Sequence, residues 1–216
     1  MIISVRQKKT AITNKFDVFY DTNWRFEAKL GTFSGLQKIQ MDNQRRDLHY
    51  ILSFKFEKQL NGFADPASEA FISPGEENLL VCSYKQRTDG GGRYLVLSYG
   101  ERDVIIRAFA NGSFEYLTIF EGNEQIGLAE HNLTVWDNCH IYKLYIRQEY
   151  VDLADALVLA VLRHHALHFL VPFKNRRGQT RLFTRYSSAS EARYEVTWLE
   201  KYFPDENFYG HMHMKN

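Results

Sequence analysis

The chain has 216 residues, of which 44% are hydrophobic and 25% charged, with only four prolines, a composition that excludes a disordered chain. Its 27 Lys and Arg stand against 26 Asp and Glu, so the net charge of +1 lacks the basic excess of a nucleic-acid binder. At about 150 residues per domain, this length predicts one large domain, or one domain with an appendage. The 16 Phe, 13 Tyr and 3 Trp favour strands over helices.

At the start, Ile2-Ile3 is too short an apolar run for a secretory signal and precedes the charges Arg6, Lys8 and Lys9. No window reaches the roughly 18 consecutive apolar residues of a membrane span. Two cysteines, Cys82 and Cys139, cannot build a disulfide framework, and Cys82 sits in an apolar run as a small buried hydrophobe would. A soluble cytoplasmic protein is expected.

Between residues 16 and 149 about ten short strands alternate with turn chemistry. The first two are Phe16 to Asp21 and Arg25 to Gly31, separated by Thr22-Asn23. Gln37 to Met41 and Tyr50 to Glu57 flank a polar loop over Asp42 to Asp47. Asn78 to Lys85 and Arg93 to Tyr99 flank Asp89-Gly90-Gly91-Gly92, which joins two strands and opens no helix, so it is a hairpin turn and no phosphate loop. Asp103 to Phe109 leads into Asn111-Gly112, the residue pair of a type I′ turn. In the next strand Phe114, Tyr116, Thr118 and Phe120 share one face, and Glu115, Leu117, Ile119 and Glu121 the other. Gln125 to Glu130 and His140 to Gln148 complete an antiparallel meander.

The segment from Asp152 to Leu162 breaks this pattern. It contains no turn residue, and Asp152 stands where an N-cap would, with Asp155 adding negative charge to the first turn. Leu153, Leu157, Val158, Leu159, Val161 and Leu162 spread round the whole helical wheel, and a helix apolar all round is buried all round. Arg163, His164 and His165 end the run too early for a membrane. A helix of about 18 residues spans about 27 Å, and strands of about eight residues span roughly 26 Å. The expected architecture is therefore mainly β: a closed antiparallel barrel of ten to twelve strands around a central hydrophobic α-helix over 152–170, as large barrels allow.

The helix Asp152 to Leu162, together with Phe16-Asp17-Val18-Phe19-Tyr20-Asp21, Phe26-Glu27-Ala28 and Leu36-Gln37-Lys38-Ile39, resembles the tubby C-terminal-like superfamily, nearest its LURP-one-related and phospholipid scramblase-like branch. The resemblance covers residues 1–171 and implies a non-catalytic binding or scaffolding module. In the tubby branch, basic residues on the barrel wall bind phosphoinositide head groups, but that motif has no counterpart here. Residues 172–216 form an extension beyond the resemblance, with a predicted amphipathic helix near 190–203.

Few residues suggest chemistry. His164 and His168 lie four apart on one helical face, a spacing that can hold a metal for a hydrolase, although His165 stands where a zinc-protease glutamate belongs. Lys174, Arg176, Arg177, Arg181 and Arg185 are five cations interleaved with Phe173, Phe183 and Tyr186, a composition suited to an anionic lipid head group, while nearby acids can pair with them. His211-Met212-His213-Met214 offers soft ligands at the chain end. No catalytic elbow is present, no cofactor is implied, and the partner expected is a protein or an anionic head group.

Overall fold

The computed structural model describes residues 1–8, 14–33, 36–45, 47–55, 57–59, 62–64, 68–72, 79–89, 92–134, 139–170, 173–174, 180–181 and 187–206. The fold is mainly β. Its strands are β1 (Ile2–Lys8), β2 (Asn14–Tyr20), β3 (Asn23–Phe33), β4 (Leu36–Asn43), β5 (His49–Lys55), β6 (Glu57–Gln59) and β7 (Gly62–Ala64). They continue with β8 (Ser68–Ile72), β9 (Leu79–Asp89), β10 (Gly92–Tyr99), β11 (Arg102–Asn111), β12 (Phe114–Glu121), β13 (Glu124–Asn132) and β14 (Ile141–Ile146). Twelve form one antiparallel sheet in the order β1-β14-β13-β12-β11-β10-β9-β8-β5-β4-β3-β2, and β1 pairs with both β14 and β2. Strands β6 and β7 make a separate hairpin. The sequence reading lacks β1, β6, β7 and β8, which are short, polar or close to the chain start.

Tight turns set the register. Asp21, Gly100, Gly112 and Gly122 each open a two-residue turn with φ between 52 and 59°. Positive φ at the first central position alone is the pattern of a II′ turn, which suits the right-handed twist of hairpins. This corrects the expected I′ turn: Asn111 pairs with Phe114, so the turn is Gly112-Ser113 and only Gly112 has positive φ.

Three bulges interrupt the ladders, one of them in β9, where Ala70 pairs with Cys82 but Phe71 with Leu80, so Val81 is an extra residue. Phe19 pairs with Trp24 but Val18 with Phe26, so Arg25 is an extra residue in β3. Phe120 pairs with Gln125 but Ile119 with Gly127, so Ile126 is extra in β13. Each extra residue reverses the facing of every side chain beyond it relative to an unbroken ladder.

Residues facing the concave side of the sheet form the main core with the helix. The chain enters by a 3₁₀ turn, Gln148–Leu153, continues as α1 (Ala154–His165), and finishes in a π-helical turn, Ala166–Leu170. Leu153, Leu157, Val158, Leu159 and Leu162 have no exposed surface, and α1 contacts β4, β9, β10 and β14, strands distributed along the whole order. Asp155 in the first turn and Arg163, His164 and His165 in the last complement the helix dipole. Asp152 is not the N-cap. That position falls to Leu153 without a side-chain bond, and the Asp152 carboxylate instead pairs with Arg102 at 2.7 Å, because the 3₁₀ turn carries it outward.

Of the extension, residues 187–206 lie on the opposite face of the sheet. Ala192, Trp198 and Leu199 pack with Phe109, Tyr116, Leu128 and Tyr145 in a second core. Thr118 Oγ1 donates to the Ala192 carbonyl (2.6 Å) and Trp198 Nε1 to that of Gln125 (3.1 Å). Strands β12 and β13 are therefore buried on both faces. The helix here, α2 (Val196–Tyr202), is shorter than 190–203 because residues 189–193 are spent in turns, with Arg193 at φ 52° and its guanidinium 3.8 Å from the Phe120 ring centroid. Among the described residues no helix is long and apolar enough to cross a membrane.

Two substitutions test this packing. A Cβ on Gly127 would stand 2.8 Å from the Tyr145 carbonyl oxygen and 3.3 Å from Ile119 Cδ1. Gly127→Ala should thus cost about 1–3 kcal/mol in urea denaturation, the range of overpacking. Glu130, buried beneath the extension with Oε2 3.3 Å from the Tyr145 hydroxyl and Oε1 unpaired, is pushed above the usual carboxylate range by burial, against opposing pulls from Tyr145 and Lys143. Its contribution to stability is present below the ordinary value of 4.5 and is lost as pH rises through the raised one. Glu130→Gln should raise the urea midpoint at neutral pH and leave it unchanged in acid.

Candidate functional site

Polar groups inside the sheet gather at the two ends of α1. At the N-terminal end Asp155 accepts a hydrogen bond on each carboxylate oxygen, from the Tyr20 hydroxyl on β2 and the Tyr50 hydroxyl on β5. Burial and the Asp155 charge push both phenols above their ordinary range, so both stay protonated and keep donating. At the next residue, Tyr84 on β9 donates to the Ala156 carbonyl at 2.7 Å. Burial pushes the neighbouring Cys82 thiol up to about 11, so it is an inert core residue, as expected from its sequence context.

At the C-terminal end a carboxylate sits among imidazoles. Glu115 on β12 has no exposed surface and lies directly opposite His131 on β13. Its Oε2 is 3.0 Å from His131 Nδ1 and its Oε1 2.7 Å from His164 Nε2. His131 continues to His140 through an Nε2···Nδ1 contact of 2.8 Å and stacks on Tyr142 of β14. The Tyr142 hydroxyl reaches His165 Nδ1 at 3.0 Å. Burial alone would raise the Glu115 pKa, but His164 and His131 outweigh it and hold the carboxyl well below its usual range. With Glu115 ionised and accepting on both oxygens, His131 carries its proton on Nδ1 and His164 on Nε2.

This arrangement locks the helix end to three adjacent strands. The bulge at Ile126 makes it possible: the register set by the Gly122-Asn123 turn would place Glu130 opposite Glu115, and the extra residue brings in His131 instead. Sequence reasoning omitted Glu115, His131 and His140 for that reason. The only sequence signal was Glu115 in the same strand row as Leu117 and Ile119.

The predicted metal pair is placed here too. His164 and His168 stack with ring centroids 4.0 Å apart and planes 28° apart. Ring-nitrogen lone pairs lie in the ring planes, so stacked rings aim them side by side and do not converge them on one ion. His164 Nε2 is also engaged by Glu115. Among the described residues no group of three or more His, Cys, Asp or Glu is arranged to hold a metal.

Of the five predicted cations, Lys174 and Arg181 belong to a two-stranded ladder of Phe173–Lys174 with Thr180–Arg181. Arg176, Arg177 and Arg185 lie outside the described residues, as do His211 to Met214.

A second polar feature lies on the outside, at the rim near the α1 N-terminus. Trp24 and Arg25 from the start of β3 and residues of the β4–β5 turn line an open pocket of about 610 Å³.

The lock should respond to acid. Burial, reinforced by the neighbouring His131, lowers the His140 pKa from 6.5 to about 4, and burial likewise holds His165 well below its ordinary range. A base with a depressed pKa favours the folded state above its ordinary value and loses that contribution as pH falls towards the folded one. Urea midpoints should therefore fall between pH 6.5 and 4, and His140→Gln should flatten that slope.

No family model, curated protein or solved structure matches this chain.

Proposed function

We propose that this chain is a non-catalytic binding module of the tubby-like type, in which the sheet closes on itself as a barrel around α1 and holds its ligand or partner on the outside. Supporting closure, β1 has a neighbour on both edges and α1 meets strands from all parts of the order. The observation that carries the functional reading is the filled interior. The aliphatic residues of α1 occupy the space in which a ligand-carrying barrel keeps its cargo, with exposures of 0–1% for Leu157, Val158, Leu159, Val161 and Leu162.

The remaining interior polar groups act as fastenings. Glu115 has no exposed surface, and its two oxygens are taken by His131 and His164. A general acid or base must reach the proton it transfers, and a group enclosed by its own fastenings does not.

A fluorescent long-chain fatty acid tests the reading directly. Titration into the purified chain should give no saturable, stoichiometric uptake, whereas one-to-one binding in the interior would overturn it.

A further inference from the structure

The rim pocket has the construction of a specific site. We propose that it binds a small soluble phosphate monoester carrying a flat ring, of the nucleotide class, with the phosphate on Arg25 and Arg45 and the ring on Trp24. The proposal rests on the reading that ligands are held outside the sheet.

Three observations carry it. The first is the bulge. In a regular strand Trp24 and Arg25 would point to opposite faces, one of them into the core. Because Arg25 is the extra residue, both are exposed, and the inward position passes to Phe26, which is fully buried. Bulges of this kind re-aim side chains next to functional sites. Arg25 thus joins Trp24 in lining one pocket.

The second is preorganisation. Trp24 is one of the few large apolar side chains left open, at 37% exposure, yet its ring is held in place by Nε1 donating to Asp17 Oδ1 at 2.9 Å. The opposite wall is pinned across the β4–β5 turn, where the Asn43 N–H donates to the Leu48 carbonyl and the Leu48 N–H to Asn43 Oδ1, both at 3.2 Å. A held aromatic face and the tied Asn43–Leu48 pair lower the ordering cost of binding.

The third is charge. Arg25 and Arg45 are exposed, and neither makes an ion pair among the described residues. Among the described residues lining the pocket the one acid, Asp47, already accepts from Asn43 Nδ2. Two guanidinium groups match the oxygens of a phosphate by bidentate, charge-assisted hydrogen bonds. An indole face stacks on a base, and Gln44 adds an amide to the lining. A volume of about 610 Å³ suits a ligand of that size. A bare anion would leave the fixed indole unused, and an uncharged ring would leave both arginines unused.

The test is an NMR titration of the ¹⁵N-labelled full chain, following the indole N–H of Trp24, with adenosine monophosphate, inorganic phosphate and phosphatidylserine vesicles as separate probes. Adenosine monophosphate should shift that resonance saturably, and inorganic phosphate should bind more weakly. Arg25→Gln with Arg45→Gln should weaken binding at least about tenfold, as loss of hydrogen bonds to a charged group implies. Trp24→Ala, followed through backbone amides of the turn, should reduce the affinity for the nucleotide to that for inorganic phosphate. Arg87→Gln, on β9, should change nothing, and unchanged amide spectra of the variants show that they fold. The proposal is overturned by the absence of a saturable response to the nucleotide, by an undiminished response in the double arginine variant, or by a response to vesicles alone. Such a failure leaves the outside-binding reading standing, whereas fatty-acid uptake into the interior would remove that reading without touching this titration.

Discussion

A helix with no polar side can be stable in water only if other parts of the chain cover every flank, and the structure is organised around meeting that demand. The α1 backbone satisfies its own hydrogen bonds, so its middle needs nothing from the surroundings except apolar contact. Its ends differ. Asp155 and the cluster of Arg163, His164 and His165 are placed where the dipole favours them, but inside a sheet they also need partners. Tyr20 and Tyr50 answer the first, and Glu115 and Tyr142 answer the two histidines. Apolar burial thus encloses the helix, while the polar ends fix its axial position and direction.

Two of the three bulges, at Ile126 and Arg25, show how little backbone irregularity is needed to make specific chemistry in a sheet. Ile126 exchanges Glu130 for His131 opposite Glu115, which converts a pair of facing acids into a hydrogen-bonded carboxylate–imidazole pair. Arg25 does the converse on the outside, turning a strand start that would bury one residue of Trp24-Arg25 into one that exposes both. Gly127 belongs to the first device, since only a residue without Cβ fits beside the Tyr145 carbonyl. One extra residue per strand therefore built an interior lock and a rim pocket on the same sheet.

Residues 187–206 of the extension give the sheet a second covered face. Their contact with β11 to β14 explains why Tyr116, Leu128 and Tyr145 are apolar or aromatic on the side away from the helix. It also explains how Glu130, on that outer row, comes to be a buried acid. Alternation in Phe114 to Glu121 was visible in the sequence, but both of its faces carry apolar residues, so alternation alone did not say which face looks inward. The helix decides, because it needs Leu117 and Ile119.

What the sequence determined by itself was local and periodic. Strand content, most of the turn sites and a helix buried on every side follow from the alternation of Phe, Tyr and aliphatic residues and from an unbroken wheel of Leu, Val and Ala. Register was not legible, because a bulge leaves no compositional mark and moves every later partner by one. For that reason Glu115 with His131, and Trp24 with Arg25, became visible only in three dimensions, while the spacing of His164 and His168 suggested a metal that their stacked rings do not favour. Helical and strand periods are properties of one segment, whereas a site is a meeting of several, and only the tertiary structure decides which side chains meet.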